Sequence, residues 1–526
     1  MAGKNSIVSG CCFLLVSDDR RRKGGNIFIE LCQIIKWSVK NRFAIITVSK
    51  RKGEDTMKKR TKRIMALGLS VMMCFSVAAC GGGTEDTSQG GGESNQASAD
   101  NGGGAADTAE APAEDSGSDS GDKVITFWNV GTEGADKETY EMAIRQFQEN
   151  SQSGYTIENI PTQNDKYKEK LVIAMSSGEC PDMYTTWSGG PMNEYIDSGY
   201  AQPLDDLYEK YGMKERFMEG ALEQASYNGK IYAVPVKNIS IAGIYYNKDL
   251  FAKCGVSVPT TVSELEAACD TFLANGIIPF TLANGPKWTG SMYFQCLAAR
   301  KGGLEPFQKA AAGDGSFEDE CFVYAGEKIQ EWVNKGYFPE GFNSMSEDDG
   351  QAKAFFYTEE AAMYLTGSWN TAAFKTDSED AGNDFYSKVD WFSFPAVDDS
   401  SADASILCGT MGDQFVSFNC TDEKLDAAFE FATYLSSDET IDYMVSASLI
   451  PPVAGVEDKI TDPVSKSIID AANKASAVQL WYDQYLNPTV ANAHLDGNQE
   501  VFGLTMTPEE ANTKMQAAQT EYLSGK

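Results

Sequence analysis

The chain has 526 residues, 42% hydrophobic and 11% aromatic, a globular composition long enough for two lobes with a core each. Its formal net charge of -32 is unevenly placed: residues 1–79 hold 16 Lys+Arg against 5 Asp+Glu, leaving 28 against 71 beyond. An acidic remainder of that size repels phosphate backbones and anionic lipid headgroups, which argues against nucleic acid as a partner and against direct adsorption to a membrane.

In chain order, the first readable element is a leader. From Met57 the sequence runs MKKRTKR, then the apolar stretch IMALGLSVMMCFSV, then AAC. A basic head, a short apolar run and small residues before a cut predict a signal peptide over 57–79, its apolar part too short to span a bilayer comfortably. Residues 1–56 precede a complete signal that works from an N-terminus, so they read as an upstream extension before a true start at Met57. Val77-Ala78-Ala79-Cys80 resembles the lipobox of bacterial lipoproteins, which implies a diacylglycerol on the Cys80 thiol and membrane affinity of about 0.8 kcal/mol per buried CH₂. Residues 81–122 contain 11 Gly and 10 Asp+Glu and no Lys, Arg, aromatic, Leu, Ile, Val or Met. Nothing there offsets the entropy of ordering, so 80–122 reads as a lipidated cysteine and an acidic tether of roughly 35 Å.

At Lys123 the pattern changes to KVITFW, a β-branched and aromatic strand, followed by a helix with Tyr140, Ile144 and Phe147 on one face. YTIENI is a second strand, NDKYKEKLVIAM a helix with Asn164 at its N-cap, and DMYTTW a third strand. This βαβαβ order predicts a parallel sheet wrapped by helices, with ligands at the carboxyl ends of its strands. KIYAVPV and SIAGIYYN are two further strands meeting at Lys237-Asn238, and a mostly helical half follows. Thr507, Pro508 and Glu510 predict an N-cap, a first-turn proline and a capping box for the last helix.

Six segments then resemble, in order and spacing, the family 1 extracellular solute-binding proteins of bacterial ABC importers, the carbohydrate-binding group that includes maltose-binding protein. They are SSGECPDMYTTWSG, YIDSGYAQPLDDL, YAVPV with IYYNKDLF, EEAAMYLTGSW, GTMGDQFVSFN and GLTMTPEEANTKM. One departure is visible: Thr358 to Glu360 stands where the family commonly has Gly and a basic residue. The resemblance implies an α/β, two-lobed, periplasmic-binding-protein-like fold of type II, each lobe a sheet flanked by helices and joined by a hinge. Lobe 1 is expected over 123–236 plus 409–455 and lobe 2 over 237–408 plus 456–526. It also implies a monomeric receptor, tied by Cys80 to the extracellular face of the cell membrane, that delivers a carbohydrate to permease subunits.

Sugars present C–H faces that stack on aromatic rings and hydroxyls that bond carboxylates and amides. Trp128 and Trp187 end the first and third strands, where an α/β sheet presents ligand. Trp288 is a loop aromatic, left open between packing and ligand contact. By the resemblance, Trp369 occupies a stacking position, and Trp481 with Asp483 belongs to a segment closing from lobe 2. Asn129, Asp165, Asn238 and Asp413 are the remaining polar candidates, Asp165 equally readable as a helix-terminal charge. Trp332 and Trp391 read as core, and Asp182 beside Pro181 as structural.

Neither cofactor nor metal is expected. The one histidine, His494, reads as a surface or helix-end residue, and GxSxG is absent from the folded region, as are HExxH, a Walker A loop and an EF-hand loop. Twelve cysteines include no CxxC, and the seven beyond Cys80 read as buried free thiols. These features point to a binder, not an enzyme. The alternatives are a secreted carbohydrate-active lipoprotein hydrolase using paired carboxylates, a binder of a non-sugar solute, and an adhesin.

Overall fold

The computed structural model describes residues 123–525 apart from Asn238 and Met411. The extension 1–56, the signal segment 57–79, the tether with Cys80, and Asn238 lie outside the described residues.

Strand β1 (Val124–Asn129) buries Ile125, Phe127 and Asn129 and turns Trp128 to its half-covered face. It pairs in parallel with β2 (Thr156–Pro161) and β3 (Met183–Thr186). The helices Gly134–Asn150 and Asn164–Ser177 form the crossovers. Asn164 is the first helical residue and not the N-cap; Gln163 takes that place without a side-chain bond, and Asn164 donates to Asp165 Oδ1 at 3.0 Å. A short hairpin, β4 (Ser226–Tyr227) and β5 (Lys230–Ile231), leads into β6 (Ala233–Lys237). Then come β7 (Ser240–Asn247), β8 (Ile278–Thr281), β9 (Ala361–Gly367), β10 (Val389–Phe392), β11 (Leu407–Thr410), β12 (Gln414–Phe418) and β13 (Val478–Gln479).

Two larger sheets result. The first has the order β2-β1-β3-β12-β6, and the second β13-β11-β7-β9-β8 with β10 also on β7. The two-lobed α/β architecture is therefore present. The chain leaves the first sheet at Lys237 and enters the second at Ser240; it returns between Thr410 and Gln414. These passages run side by side, with the Asp413 N–H donating to the Lys237 carbonyl at 2.9 Å. Ile239, in the first passage, holds φ at 36°. A β-branched residue in the left-handed region is strained, and such strain concentrates at functional positions. Val453 bridges Phe217 on the first lobe before the helix Pro463–Lys474 packs on β10.

In the first lobe, fully buried Phe127 meets Tyr140 and Phe431 edge-on, with centroids at 5.3 and 5.6 Å. Such burial contributes roughly 1.5–3 kcal/mol, and each aromatic pair about 0.5–1.5 more. Asp182 has the structural role expected of it. It accepts from the Thr126 N–H at 2.9 Å and from Lys424 at 2.7 Å, tying β1 and β3 to the helix Asp422–Tyr434. In the second lobe, Trp332 is fully buried, stacks on Phe280 at 6.1 Å and donates to Glu266 at 2.9 Å. Trp391 is buried as well, and the seven described cysteines are free thiols. The capping box at Thr507 and Glu510 forms.

His494 corrects the sequence reading. It is buried on the helix Pro488–Phe502, with Nε2 2.7 Å from Ser291 Oγ and its ring against Phe294 and Tyr482. Burial pushes its pKa down to about 3, so it stays neutral in the core.

Candidate functional site

The carboxyl ends of β1 and β3 open on a cavity of about 250 Å³ between the lobes. Beyond β1, buried Asn129 closes a turn, accepting from the Gly131 N–H at 3.0 Å and donating to Asn159 at 2.5 Å. That turn delivers Val130, Thr132, Glu133 and, from the first turn of the next helix, Asp136 to the cavity wall. Trp187 reaches the cavity directly beyond β3.

The second lobe supplies three indoles. Trp369 follows β9, folded back so closely that a Cβ on Gly367 would lie 1.9 Å from its ring. Only glycine leaves that space. Trp288 and Trp481 flank it edge-on, with centroids 5.9 and 6.2 Å away. Trp481 is fixed at the chain crossing, donating Nε1–H to Ser240 Oγ at 3.0 Å.

Polar groups fill the spaces between these rings. Lys237, its side chain only 7% exposed, pairs with Asp136 at 2.5 Å. Buried Asp413 beside them is held above the ordinary carboxylate range, mainly by desolvation, with Lys237 opposing and Asp136 adding to the shift. Burial likewise raises Asp483, opposed by Lys168. Glu347 is a buried acid too: one oxygen accepts from the Tyr364 hydroxyl, and the other, Oε2, is sealed from solvent without a partner. Burial pushes its pKa up to about 7; the Tyr364 bond and Lys353 pull it down, while Asp165 and Asp348 push it further up. This mixture of indole faces, carboxylates, amides and ammonium groups suits a polyhydroxylated ligand with apolar C–H faces.

Direct contacts hold the lobes together around the cavity. Trp288 Nε1–H donates to Asp165 Oδ1 at 3.1 Å, and the Asp165 N–H to Asp348 Oδ2 at 3.0 Å. The Lys168 ammonium lies 4.7 Å from the Trp187 centroid and 5.8 Å from that of Trp288. Asn487 donates to Glu194 at 3.0 Å. Gly189, at φ 93°, brings its backbone so near Gln484 that a Cβ would fall 2.3 Å from the carbonyl oxygen.

Of the residues expected to bind ligand, Trp187, Trp288, Trp369, Asp413, Trp481 and Asp483 line this one cavity. Asp165 stands at its partition through the bond to Trp288. Asn129 shapes the turn behind the wall without lining the cavity. Trp128 lies on the other face of β1, under Lys170 with the ammonium 3.6 Å from its centroid. Asp136, Lys168, Lys237, Glu347, Asp348 and Gln414 also line the cavity and were not anticipated. Lys237 had a signal, a lysine ending the otherwise apolar run AVPV. Glu347, in the acidic loop SEDD, had none.

A profile of the family described as bacterial extracellular solute-binding protein matches residues 131–441. A probable sugar-binding periplasmic protein of Mesorhizobium japonicum is 25% identical over 378 residues, 69% of this chain and 86% of its own. A solved structure described under xylan utilization by the thermophilic bacterium Caldanaerobius polysaccharolyticus is 30% identical, with TM-score 0.69 over 75% of this chain and 99% of that one. A chitin oligosaccharide binding protein is 25% identical, with TM-score 0.70 over 76% and 99% of the two chains.

Proposed function

The chain belongs to the bacterial extracellular solute-binding proteins, and from that premise we propose that it is the receptor of an ABC importer, capturing a carbohydrate between its lobes for a membrane permease. The observation that carries this reading is the cavity in which Trp187, Trp288, Trp369 and Trp481 surround buried carboxylates and Lys237. Indoles remove sugar C–H faces from water, and the carboxylates accept hydroxyl protons. Relatives described as sugar-binding, and neighbours described by xylan utilization and chitin oligosaccharide binding, support the same ligand class. The ligand leaves unchanged, and lobe closure around it is the signal the permease reads. Cys80 carries lipid, and the tether holds a monomeric receptor off the extracellular face of the cell membrane. A Cys80→Ala variant is expected in the soluble fraction; its persistence on membranes would contradict the anchor.

The test is a thermal-shift panel of xylo- and chito-oligosaccharides, galactose and stachyose on the full chain, followed by chromatography of the sugar. A binder gains RT ln(1 + [L]/Kd), about 2.7 kcal/mol at a hundredfold excess over Kd, and returns the sugar intact. No shift with any sugar would overturn the proposal.

One observation favours a second reading. A buried glutamate with a pKa near 7 in a sugar-sized cavity is the profile of a general acid, as in a carbohydrate hydrolase. Shortened sugar in the same chromatogram, abolished by Glu347→Gln, would select it.

A further inference from the structure

Two of the seven described cysteines meet in the core of the second lobe. Cys296 lies on the helix Trp288–Gly302 and Cys408 on β11, and both are buried, at 2% and 3% exposed. The helix packs on the strand with Cα atoms within 8 Å, and the Cys296 S–H donates to the Cys408 sulfur. Cα atoms joined by a disulfide stand about 4.4–6.8 Å apart, so these two elements already lie near bonding range.

Beside the thiols is a buried cation. Arg300, one turn beyond Cys296, is 3% exposed; its Nε donates to the Phe394 carbonyl at 3.0 Å and an Nη to the Ile406 carbonyl, two residues before Cys408. Both bonds go to carbonyls and neither to a carboxylate, and Asp403 feels the charge only from the exposed surface. A guanidinium keeps its charge when buried, and burial without a close anion is costly. The anion within reach in the core is a thiolate. The bond from Cys296 holds the Cys408 pKa below the ordinary thiol value, with burial opposing and Arg300 adding to the fall.

The family is extracellular, and thiols outside the cell meet an oxidising medium. Resting on that placement, we infer that Cys296 and Cys408 are a modification site, a dithiol that closes to an internal disulfide in the exported chain. The oxidant is a small-molecule disulfide, met while the folding chain still exposes its thiols. The Cys296 thiolate, its proton given to water, attacks one sulfur of the oxidant; that S–S bond breaks, and one half leaves as a thiolate and takes up a proton. As the helix docks on β11, the Cys408 thiolate attacks the Cys296 sulfur of the mixed disulfide, and the second half leaves in the same way. Two electrons and two protons pass to the oxidant, which departs as two thiols. Arg300 favours Cys408 as the attacking group by stabilising its thiolate.

The bond closes a loop of about a hundred residues, long enough to restrict the unfolded chain strongly. It also fastens the helix that begins at Trp288 to the strand in which Cys408 pairs with Gln479, two residues before Trp481. Neither cysteine lines the cavity, so its wall is braced from behind.

The full chain, refolded from urea in a buffer of reduced and oxidised glutathione, tests this. Remaining thiols are alkylated in denaturant, and the peptides are mapped by mass spectrometry without reduction. A Cys296–Cys408 cross-link is expected, with Cys180, Cys254, Cys269, Cys321 and Cys420 alkylated. Dithiothreitol should then lower the melting temperature of the oxidised wild type by roughly 5 °C or more and leave Cys296→Ala and Cys408→Ala unshifted. Both cysteines alkylated, either one joined to a different cysteine, or an equal shift in the variants would overturn the assignment. The map depends neither on sugar capture nor on where the chain resides, which the sugar panel and the Cys80→Ala fractionation test by themselves.

Discussion

The inner cavity and the outer groove of about 890 Å³ beyond it share Trp187 and Trp288 as walls and are built by the same two lobes, yet they solve different problems. The cavity is small and crowded with partly or fully buried charge, and several of its groups are already paired within the protein: Asp136 with Lys237, Trp481 with Ser240, Glu347 with Tyr364. The groove is roomier and mixes apolar Leu171, Val172, Met175, Pro488 and Leu495 with charged Glu169, Glu194, Lys287 and Asp496. A preorganised polar pocket selects one chemical unit, because a wrong hydroxyl leaves a buried group unpaired. A roomier groove of mixed lining is more tolerant. The difference predicts selectivity in the cavity and permissiveness in the groove.

The largest effect is expected inside. Trp369→Ala removes the indole between Trp288 and Trp481 and should weaken short and long sugars alike by two to three powers of ten, ~3–4 kcal/mol, as for a central buried aromatic anchor. Calorimetry on both ligand lengths checks it, and a loss confined to long sugars would place the selectivity in the groove.

Glu347→Gln comes next and isolates the dry interior. The folded-state pKa of Glu347 is raised from 4.5 to about 7, so the folded protein binds the proton more tightly than the unfolded chain. Its neutral form is fully present in both states below about 4.5. As pH rises toward 7, ionisation favours the unfolded chain and stability falls, by at most about 3 kcal/mol at 1.36 kcal/mol per unit. Urea melts at pH 5 and pH 8 should show the wild type losing stability relative to Glu347→Gln. A constant difference would place water on the carboxyl.

Gly189→Ala acts on both spaces at once. Its Cβ would meet the Gln484 carbonyl, keeping the lobes from their closed contact and straining a residue at φ 93°. About tenfold weaker binding is expected at every ligand length, ~1.4 kcal/mol, read by the same titrations. The smallest effect lies away from either space. Glu359 occupies φ 58° and pairs with Lys388 at 2.7 Å. Glu359→Gly relieves left-handed strain and gives up an exposed ion pair, which is worth little in water, so a small gain in melts and unchanged sugar affinity are expected.

What the sequence disclosed followed from local pattern. The βαβαβ alternation located β1 to β3, and six of the ten expected ligand residues line one cavity because strand ends and the turns beyond them converge there. The same period-two alternation, applied to VITFWN, separates Trp128 from Phe127 and Asn129 and places it on the opposite face, under Lys170. His494 had a signal too: it shares a helical face with Val490, Gly497 and Val501. Glu347 had none: the β9 residue Tyr364 covers it, and the loop carrying it is placed by the bond from the Asp165 N–H to neighbouring Asp348, 183 residues away in the chain. The outer groove was invisible for the same reason, each wall being an ordinary amphipathic helix until the other lobe faces it.

Capture of a sugar in the tryptophan cavity is the central claim. Calorimetric titration of the full chain and of Trp369→Ala with the strongest sugar of the panel decides this. The prediction is saturable one-to-one binding by the wild type, a two- to three-decade loss in the variant, and sugar recovered unchanged. Equal binding by both proteins would contradict it.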